Sequence, residues 1–148
     1  MKKVLLAALT VSLLCQTPAV AQTAQSSGFA PTVTFENGNT LWSIENRAIL
    51  SDSISIRSSA SFADSAGTGN KYGTSLNYNL SMNDEAKTFS PFIGAGVAYY
   101  SGAKSDVTGF AQAGLDMYFE NLTLTGSVAF PFSGDRGMAT SVGLGFRF

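Results

Sequence analysis

The chain has 148 residues, of which 45% are hydrophobic and only 13% are charged, and it contains no histidine. Charged residues usually make up about a quarter of a soluble domain, so this composition is unusual for a soluble globular protein. The lack of histidine removes the commonest metal ligand and the usual general base near neutral pH, which argues against most hydrolytic and metal-dependent chemistry, and we expect no enzymatic activity, cofactor or metal ion.

The N-terminal segment has the features of an export signal. Lys2 and Lys3 precede an apolar run over residues 4–15, and the small residues that follow fit a signal-peptidase site. The apolar run of about 12 residues is shorter than the roughly 20 that cross a bilayer. We predict a cleaved signal peptide over residues 1–21 and a short N-terminal extension over residues 22–28.

Cleavage changes the cysteine content and the charge of the exported chain. The single cysteine, Cys15, lies within the predicted signal peptide, and its lipid modification is disfavoured because Leu14 rather than a small residue precedes it. Without Lys2 and Lys3, seven basic residues remain against ten acidic residues, so the net charge of the exported chain is −3. Such a chain has no basic patch that neutralises phosphates, and we expect no nucleic-acid partner.

From residue 29 onward the apolar residues recur with a period of two, in segments of about ten residues separated by turn-forming residues. The pattern predicts eight β-strands: Phe29–Glu36, Thr40–Leu50, Ser53–Ala63, Tyr72–Met82, Phe89–Tyr100, Val107–Phe119, Asn121–Phe132 and Ala139–Phe148. The second, fourth and sixth connections are tight or compact, whereas the third, fifth and seventh are longer and rich in glycine. An up-and-down meander with both termini on one side explains this alternation.

Each predicted strand has an apolar face and a polar face. In the last strand, the apolar face comprises Val142, Leu144, Phe146 and Phe148. Asn46 and Ser58 break the pattern, because they are polar residues on otherwise apolar faces. Alternating strands also occur in soluble β-sandwiches, whose apolar faces pack inward.

The aromatic residues concentrate at the two ends of the predicted strands. One level comprises Phe35, Trp42, Phe62, Tyr72, Tyr99, Phe130 and Phe132, and the other comprises Phe29, Phe89, Phe119, Phe146 and Phe148. Rings at both strand ends with smaller residues between them are typical of the two interfaces of a membrane. We therefore predict an all-β fold, an eight-stranded antiparallel transmembrane β-barrel over residues 29–148, surrounded by outer-membrane lipid.

Five charged residues fall on the polar faces of the predicted strands: Glu45, Arg47, Arg57, Asp116 and Arg147. A register slip of one residue would turn them toward lipid, at up to about 2–4 kcal/mol for each basic residue near the middle of the membrane. The polar faces are therefore predicted to line the lumen. Eight strands enclose little more than side chains and buried charges need partners, so we expect a charge network in which Arg57 bridges to Glu45 and Glu36 lies at the rim.

Two glycines lie in the middle of the fifth predicted strand. Gly94 and Gly96 lack the rest of a dinucleotide-binding fingerprint. Because glycine leaves space beside a strand, we expect these positions to accommodate Phe92 and Tyr100 inside the lumen.

The signal peptide, the eight segments and the terminal sequence SVGLGFRF resemble small outer-membrane β-barrels of the OmpA transmembrane-domain and OmpX type. The resemblance covers the predicted exported chain. It implies a location in the outer membrane of a Gram-negative-type cell. It also implies that the barrel-assembly machinery reads Val142, Leu144, Phe146 and the final Phe148.

The functional prediction follows from the filled lumen and the short predicted loops, which argue against the adhesin or receptor-binding roles of long-looped relatives. We expect an integral outer-membrane barrel with a structural or surface-interaction role, and the sequence indicates no particular surface ligand. Two alternatives stay open. One is a narrow channel for ions or small solutes, and the other is a soluble secreted β-sandwich or calyx that binds a ligand.

Overall fold

A computed structural model describes residues 28–63, 69–80, 89–102, 105–133 and 136–147. Within these ranges the strands are β1 (Gly28–Glu36), β2 (Asn39–Ser51), β3 (Ile54–Ala63), β4 (Asn70–Asn79), β5 (Phe89–Ser101), β6 (Asp106–Phe119), β7 (Leu122–Pro131) and β8 (Ala139–Arg147). Each strand pairs antiparallel with its neighbours in sequence, and β8 pairs with β1 to close the barrel. Among the described residues, no helix is long and apolar enough to cross a membrane. The predicted all-β, eight-stranded antiparallel up-and-down barrel is confirmed.

Three connections are turns of two residues. Asn37 and Gly38, between β1 and β2, have positive φ angles of 52° and 76°. Asn-Gly favours the type I′ turn, whose two central residues need this conformation and whose twist matches that of the paired strands. Residues 52–53 and 120–121 join β2 to β3 and β6 to β7. These turns hold the three pairs of strands in register.

The fourth connection is longer than the sequence predicts. β4 ends at Asn79 and β5 begins at Phe89, so nine residues, 80–88, lie between the two strands, where the sequence predicts six. The predicted end of the fourth strand at Met82 lies outside the described residues. Leu80, the last described residue before Phe89, still donates a backbone hydrogen bond to Pro91 of β5 over 2.8 Å.

Two strand starts also differ slightly from the prediction. β1 begins at Gly28, which the sequence assigns to the N-terminal extension, and Gly28 already pairs with Arg47. β4 begins at Asn70 rather than Tyr72, because Asn70 still pairs with Ser101 of β5. In both cases the added residues are not apolar, so the alternating pattern does not include them.

The two ends of the barrel are distinct. The terminal end carries the start of β1 and the end of β8, and the loop end carries the first, third, fifth and seventh connections. The longest loop-end connections span residues 64–69 and 132–138. The loop end therefore offers a small surface.

The outward face of the barrel is apolar and the lumen is polar. The outward side chain of Trp42 is 59% exposed, whereas Asp116 in the lumen is 0% exposed. Sixteen polar or charged residues are buried within the described ranges, twice the eight apolar ones. A soluble sandwich or calyx packs its apolar faces inward, so this distribution argues against both alternatives.

Aromatic side chains of the outward face gather near both ends. Those near the loop end belong to Phe35, Trp42, Phe62, Tyr72, Tyr99, Phe130 and Phe132, and those near the terminal end belong to Phe29, Phe89, Phe119 and Phe146. The rings of Tyr72 and Tyr99 stack across β4 and β5 with their centroids 6.5 Å apart. Phe148 lies outside the described residues.

The prediction for Gly94 and Gly96 is wrong. A Cβ atom at Gly94 would lie 2.1 Å from Oδ1 of Asn77, and one at Gly96 would collide with the backbone of β4. These glycines therefore make room for β4 and not for Phe92 or for the ring of residue 100. Phe92 instead points toward its partner on β6, Gly114, where a Cβ atom would lie 2.3 Å from the Cζ atom of the ring.

Candidate functional site

Charged side chains meet inside the barrel in two groups. The terminal-end cluster comprises Glu45 and Arg47 of β2, Arg57 of β3, and Asp116 and Tyr118 of β6. Side chains two residues apart along a strand share a face, so both pairs within one strand point inward together. Because β2 and β6 lie four strands apart in a closed barrel of eight, contacts between them cross the lumen.

Asp116 is the centre of the terminal-end cluster. Its Oδ2 atom accepts hydrogen bonds from the guanidinium groups of both Arg47 and Arg57. The Tyr118 hydroxyl also donates to Oδ2 over 3.3 Å, and Nη1 of Arg57 donates to Oε1 of Glu45 over 2.7 Å. Two carboxylates thus balance two guanidinium groups in a buried network that ties opposite walls together.

The two arginines of this cluster lie directly opposite each other. Arg47 pairs with Arg57 across β2 and β3, and like charges in this arrangement repel. The shared Asp116 carboxylate offsets the repulsion. Aromatic rings also contribute, because the Arg57 Cζ atom lies 3.6 Å from the ring centroid of Phe92 and that of Arg47 lies 5.2 Å from the centroid of Tyr118.

The loop-end cluster comprises Glu36, Lys71, Tyr100, Asp106 and Arg136. Lys71 Nζ donates to Oε2 of Glu36 over 2.7 Å, and the Tyr100 hydroxyl donates to Oε1 over 3.0 Å. The Arg136 Cζ atom lies 4.0 Å from the centroid of the Tyr100 ring, and its Nη2 atom lies 3.8 Å from Oδ2 of Asp106. The Arg136 and Asp106 side chains are 29% and 48% exposed, so water reaches this layer.

Hydroxyl and amide groups line the lumen between the clusters. The Thr34 hydroxyl lies 3.1 Å from that of Ser43 and 2.8 Å from that of Ser141. A cavity of about 60 Å³ adjoins these groups, and one of about 20 Å³ adjoins the terminal-end cluster. Glu45 lines both cavities. Volumes of this size accommodate a few water molecules.

The structure brings four of the five charged residues of the predicted network into one cluster: Glu45, Arg47, Arg57 and Asp116. The predicted bridge from Arg57 to Glu45 is among its contacts. The fifth residue, Arg147, is the last of β8 and pairs with Gly28. Glu36, predicted at the rim, belongs to the separate loop-end cluster.

The sequence-based network omits two polar partners. Tyr118 contacts both Arg47 and Asp116, and Thr125 Oγ1 accepts a hydrogen bond from Arg57 over 3.5 Å. Tyr118 follows Asp116 by two residues and therefore shares its face, which is the signal that identifies it in the sequence. Within the described ranges, no group of three acidic residues or cysteines is arranged to hold a metal ion.

The residues of the predicted assembly signal lie on the outward face of β8. Val142, Leu144 and Phe146 are exposed, and Phe148 lies outside the described residues. Exposure on one face leaves these side chains accessible to lipid or to another protein. Their recognition by the assembly machinery stays a prediction.

Comparisons with known proteins identify the fold. No protein-family model and no curated protein sequence matches the chain. Among solved structures, the N-terminal β-barrel domain of Pseudomonas aeruginosa OprF is similar with a TM-score of 0.69 and 18% identity, over 86% of this chain and 100% of that domain. A de novo designed transmembrane β-barrel is similar with a TM-score of 0.62 and 12% identity, over 86% of this chain and 100% of the design.

The outer-membrane enzyme PagL is also similar, with a TM-score of 0.55 and 13% identity over 82% of this chain and 98% of that one. A designed barrel and an enzyme thus share one architecture, and at these identities the likeness concerns the fold and not the activity. The chain has the fold of the small eight-stranded β-barrels of outer membranes.

Proposed function

We propose that this barrel is integral to the outer membrane of a Gram-negative-type cell. Exposed apolar side chains cover its outward face between two levels of aromatic rings. Soluble monomers rarely expose a contiguous apolar patch larger than a few hundred Å². Hydrocarbon is the solvent that suits such a face, and aromatic rings suit the two interfaces. The terminal end then faces the periplasm and the loop end faces outward.

Within the membrane, we propose a structural or surface-interaction role with a lumen closed by side chains. The observation that carries this role is the terminal-end cluster, in which Asp116 joins arginines from the opposite wall. Separating Asp116 from the arginines while the site stays dry would leave buried charges without this partner, which costs several kcal/mol for each ion. The short connections at the loop end support a compact surface for contact with a ligand or partner.

A narrow ion path is the second candidate function, and Glu45 is the residue that favours it. Glu45 lines both cavities of the lumen, and among the residues that the structure describes its one ion pair is with Arg57. Movement of the Glu45 side chain would shorten the gap between the two cavities. Conduction through such a path is limited to ions, protons or water, because the cavities total only tens of Å³.

Catalysis is not part of the proposal. The shared fold with PagL carries no catalytic residue to this chain, because function resides in sites and not in folds. A sequence without histidine has no Ser-His or Cys-His pair for activating a nucleophile.

The membrane location is tested by fractionation of cells that express the protein. We expect the protein in the outer-membrane fraction, released only by detergent, with a mobility on unboiled gels that differs from that of the boiled sample. Protein that stays soluble in the periplasm without detergent would refute the proposal and favour a secreted ligand-binding protein.

We also propose the barrel-assembly machinery as a partner, which reads the last strand through Val142, Leu144, Phe146 and Phe148. Deleting Phe148 is expected to impair assembly in cells much more than refolding in detergent, because β8 keeps its pairing with β1 and β7. Loss of one interfacial ring should lower the free energy of unfolding by no more than about 1.5–3 kcal/mol. Equal failure in both settings would identify Phe148 as a stability residue, and normal assembly in cells would reject the signal.

A further inference from the structure

Three polar side chains interrupt the apolar outward face on adjacent strands: Asn46 of β2, Ser58 of β3 and Thr74 of β4. Asn46 pairs with Ser58, and Ser58 pairs with Thr74, so the three form one continuous polar stripe. Elsewhere among the described outward positions, the remaining polar side chain near this depth is the isolated Thr140 of β8, which pairs with Phe35 and Val128. The polar stripe is therefore confined to one side of the barrel.

The polar stripe lies at hydrocarbon depth. Asn46 and Ser58 are each four residues from the loop-end ring of their own strand, which is Trp42 in β2 and Phe62 in β3. Four residues of a strand extend roughly 13 Å, and somewhat less along the membrane normal when the strand is tilted. Thr74 lies two residues from Tyr72 and thus nearer to the loop end. Lipid tails offer no hydrogen bonds at this depth.

The hydrogen-bonding capacity of the polar stripe is largely unused. Ser58 Oγ and Thr74 Oγ1 share one hydrogen bond of 3.4 Å, which leaves one of the two hydroxyl hydrogens free for another acceptor. The amide of Asn46 has two donor hydrogens and a carbonyl acceptor, and within the described ranges it makes no hydrogen bond. Polar groups in this position are costly unless another membrane-embedded molecule satisfies them.

This inference rests on the membrane location proposed above. We propose that the polar stripe is the contact surface for a second copy of this chain, in a two-fold dimer in which strands β2 and β3 of both copies face each other. Two copies inserted in the same orientation are related by an axis along the membrane normal, which brings equal depths together. Asn46 of each copy then meets Ser58 of the other.

A second copy fits the polar stripe better than an unrelated membrane protein. An unrelated protein needs its own lipid-facing polar group at the same depth, whereas a second copy has one by identity. Amide and hydroxyl groups both donate and accept, so the surface is complementary to itself. The side chains of the polar stripe are uncharged, so the two copies do not repel each other there.

Small side chains allow the two copies to approach. Ala60 follows Ser58 by two residues on the same outward face, and small residues let backbones approach closely in membranes. Ala48, two residues after Asn46, is covered by its neighbours and is only 4% exposed. Two strands about 4.8 Å apart and an apolar band about 25 Å tall give a contact of roughly 240 Å² per copy. This is below the ~800 Å² per partner of stable soluble complexes, so we expect a reversible dimer.

The test measures self-association of the full chain, refolded into lipid bilayers and labelled with donor or acceptor dyes, by energy transfer as a function of the protein-to-lipid ratio. The wild type is expected to associate reversibly. The double variant N46L/S58A is expected to weaken association about tenfold or more, because both hydrogen-bonded pairs of the dimer are lost. N46Q keeps the amide and should retain most of the association. The control L124A alters an outward side chain on β7, across the barrel, and should have no effect.

The outcomes separate this inference from the membrane location, since insertion is measured on the same samples by the mobility of unboiled protein. A wild type that is inserted but monomeric at every ratio overturns the dimer. An association that N46L/S58A leaves unchanged also overturns it, because the contact then lies elsewhere. Protein that does not insert refutes the membrane location and the dimer together. N46L and S58A each replace a polar group in lipid by an apolar one, so loss of folding is not expected.

Discussion

The terminal-end cluster and the loop-end cluster each contain two cations and two carboxylates, yet water reaches them very differently. In the terminal-end cluster, Asp116 and both arginines are buried, and their contacts cross the lumen. In the loop-end cluster, Arg136 and Asp106 are partly exposed, and Glu36 and Tyr100 are buried. The same type of ion pair therefore has a different energetic weight at the two ends, because burial removes the solvent screening that weakens exposed pairs.

The cations also differ between the clusters. The guanidinium group of Arg57 contacts both Asp116 and Glu45, and its planar shape with five donors allows both contacts at once. Lys71 carries a point charge, and within the described residues its ion pair is with Glu36. A buried arginine therefore contacts carboxylates on different strands at once, whereas a lysine near the mouth of the barrel neutralises one carboxylate. We infer that the terminal-end cluster closes the lumen and that the loop-end cluster finishes its rim.

The largest predicted effect is that of D116N, which keeps the side-chain volume and removes the charge. Both buried guanidinium groups would then lose their ion pair with Asp116, and breaking a buried ion pair typically costs about 3–5 kcal/mol. We expect a loss of this size in the free energy of unfolding, measured by urea titration of the barrel in lipid vesicles. A loss below about 1 kcal/mol, the value for exposed pairs, would show that burial does not distinguish the two clusters.

The next effect in size is that of R57K, which keeps the positive charge but not the fork. Lysine cannot reproduce the simultaneous contacts with Asp116 and Glu45, so at least one charged hydrogen bond is lost. Such bonds contribute about 1.5–3 kcal/mol, and the same urea titration should show a decrease in this range. A variant as stable as the wild type would mean that the positive charge stabilises the cluster and that the planar shape of the guanidinium group does not matter.

The smallest effect is that of R136A in the loop-end cluster. Its ion pair with Asp106 is 3.8 Å long and partly exposed, and the variant also loses the contact with the Tyr100 ring, so the two together should cost no more than about 1–2 kcal/mol. The effect should shrink further in 1 M salt, where the screening length falls to about 3 Å. A cost equal to that of D116N, or one that salt leaves unchanged, would contradict the difference between the two ends.

The strands and their faces are predictable from the sequence because lipid outside and polar side chains inside impose a period of two. In β8, Val142, Leu144 and Phe146 alternate with small or polar residues, and the structure exposes all three. Where pairing stops is less predictable. The described part of the fourth strand ends at Asn79, Leu80 still donates to the backbone of Pro91 over 2.8 Å, and the predicted end at Met82 lies outside the described residues.

Contacts across the lumen are the part that the sequence leaves open. The bridge from Arg57 to Glu45 joins adjacent strands and is predictable from the strand pattern. The shared contacts of Asp116 with Arg47 and Arg57 join distant strands, and their partners depend on the tilt and shear of the closed barrel. Membership of a face is a local property, whereas partnership across the lumen is a property of the whole fold.

Planar-bilayer recording of the refolded protein tests the closed lumen most directly. The wild type should show no large steady conductance, because the terminal-end cluster fills the cross-section near Asp116. R136A should remain equally closed, since it loosens only the rim. A large steady conductance in the wild type would contradict the account, because it requires an open path where the ion pairs of the terminal-end cluster join the two walls.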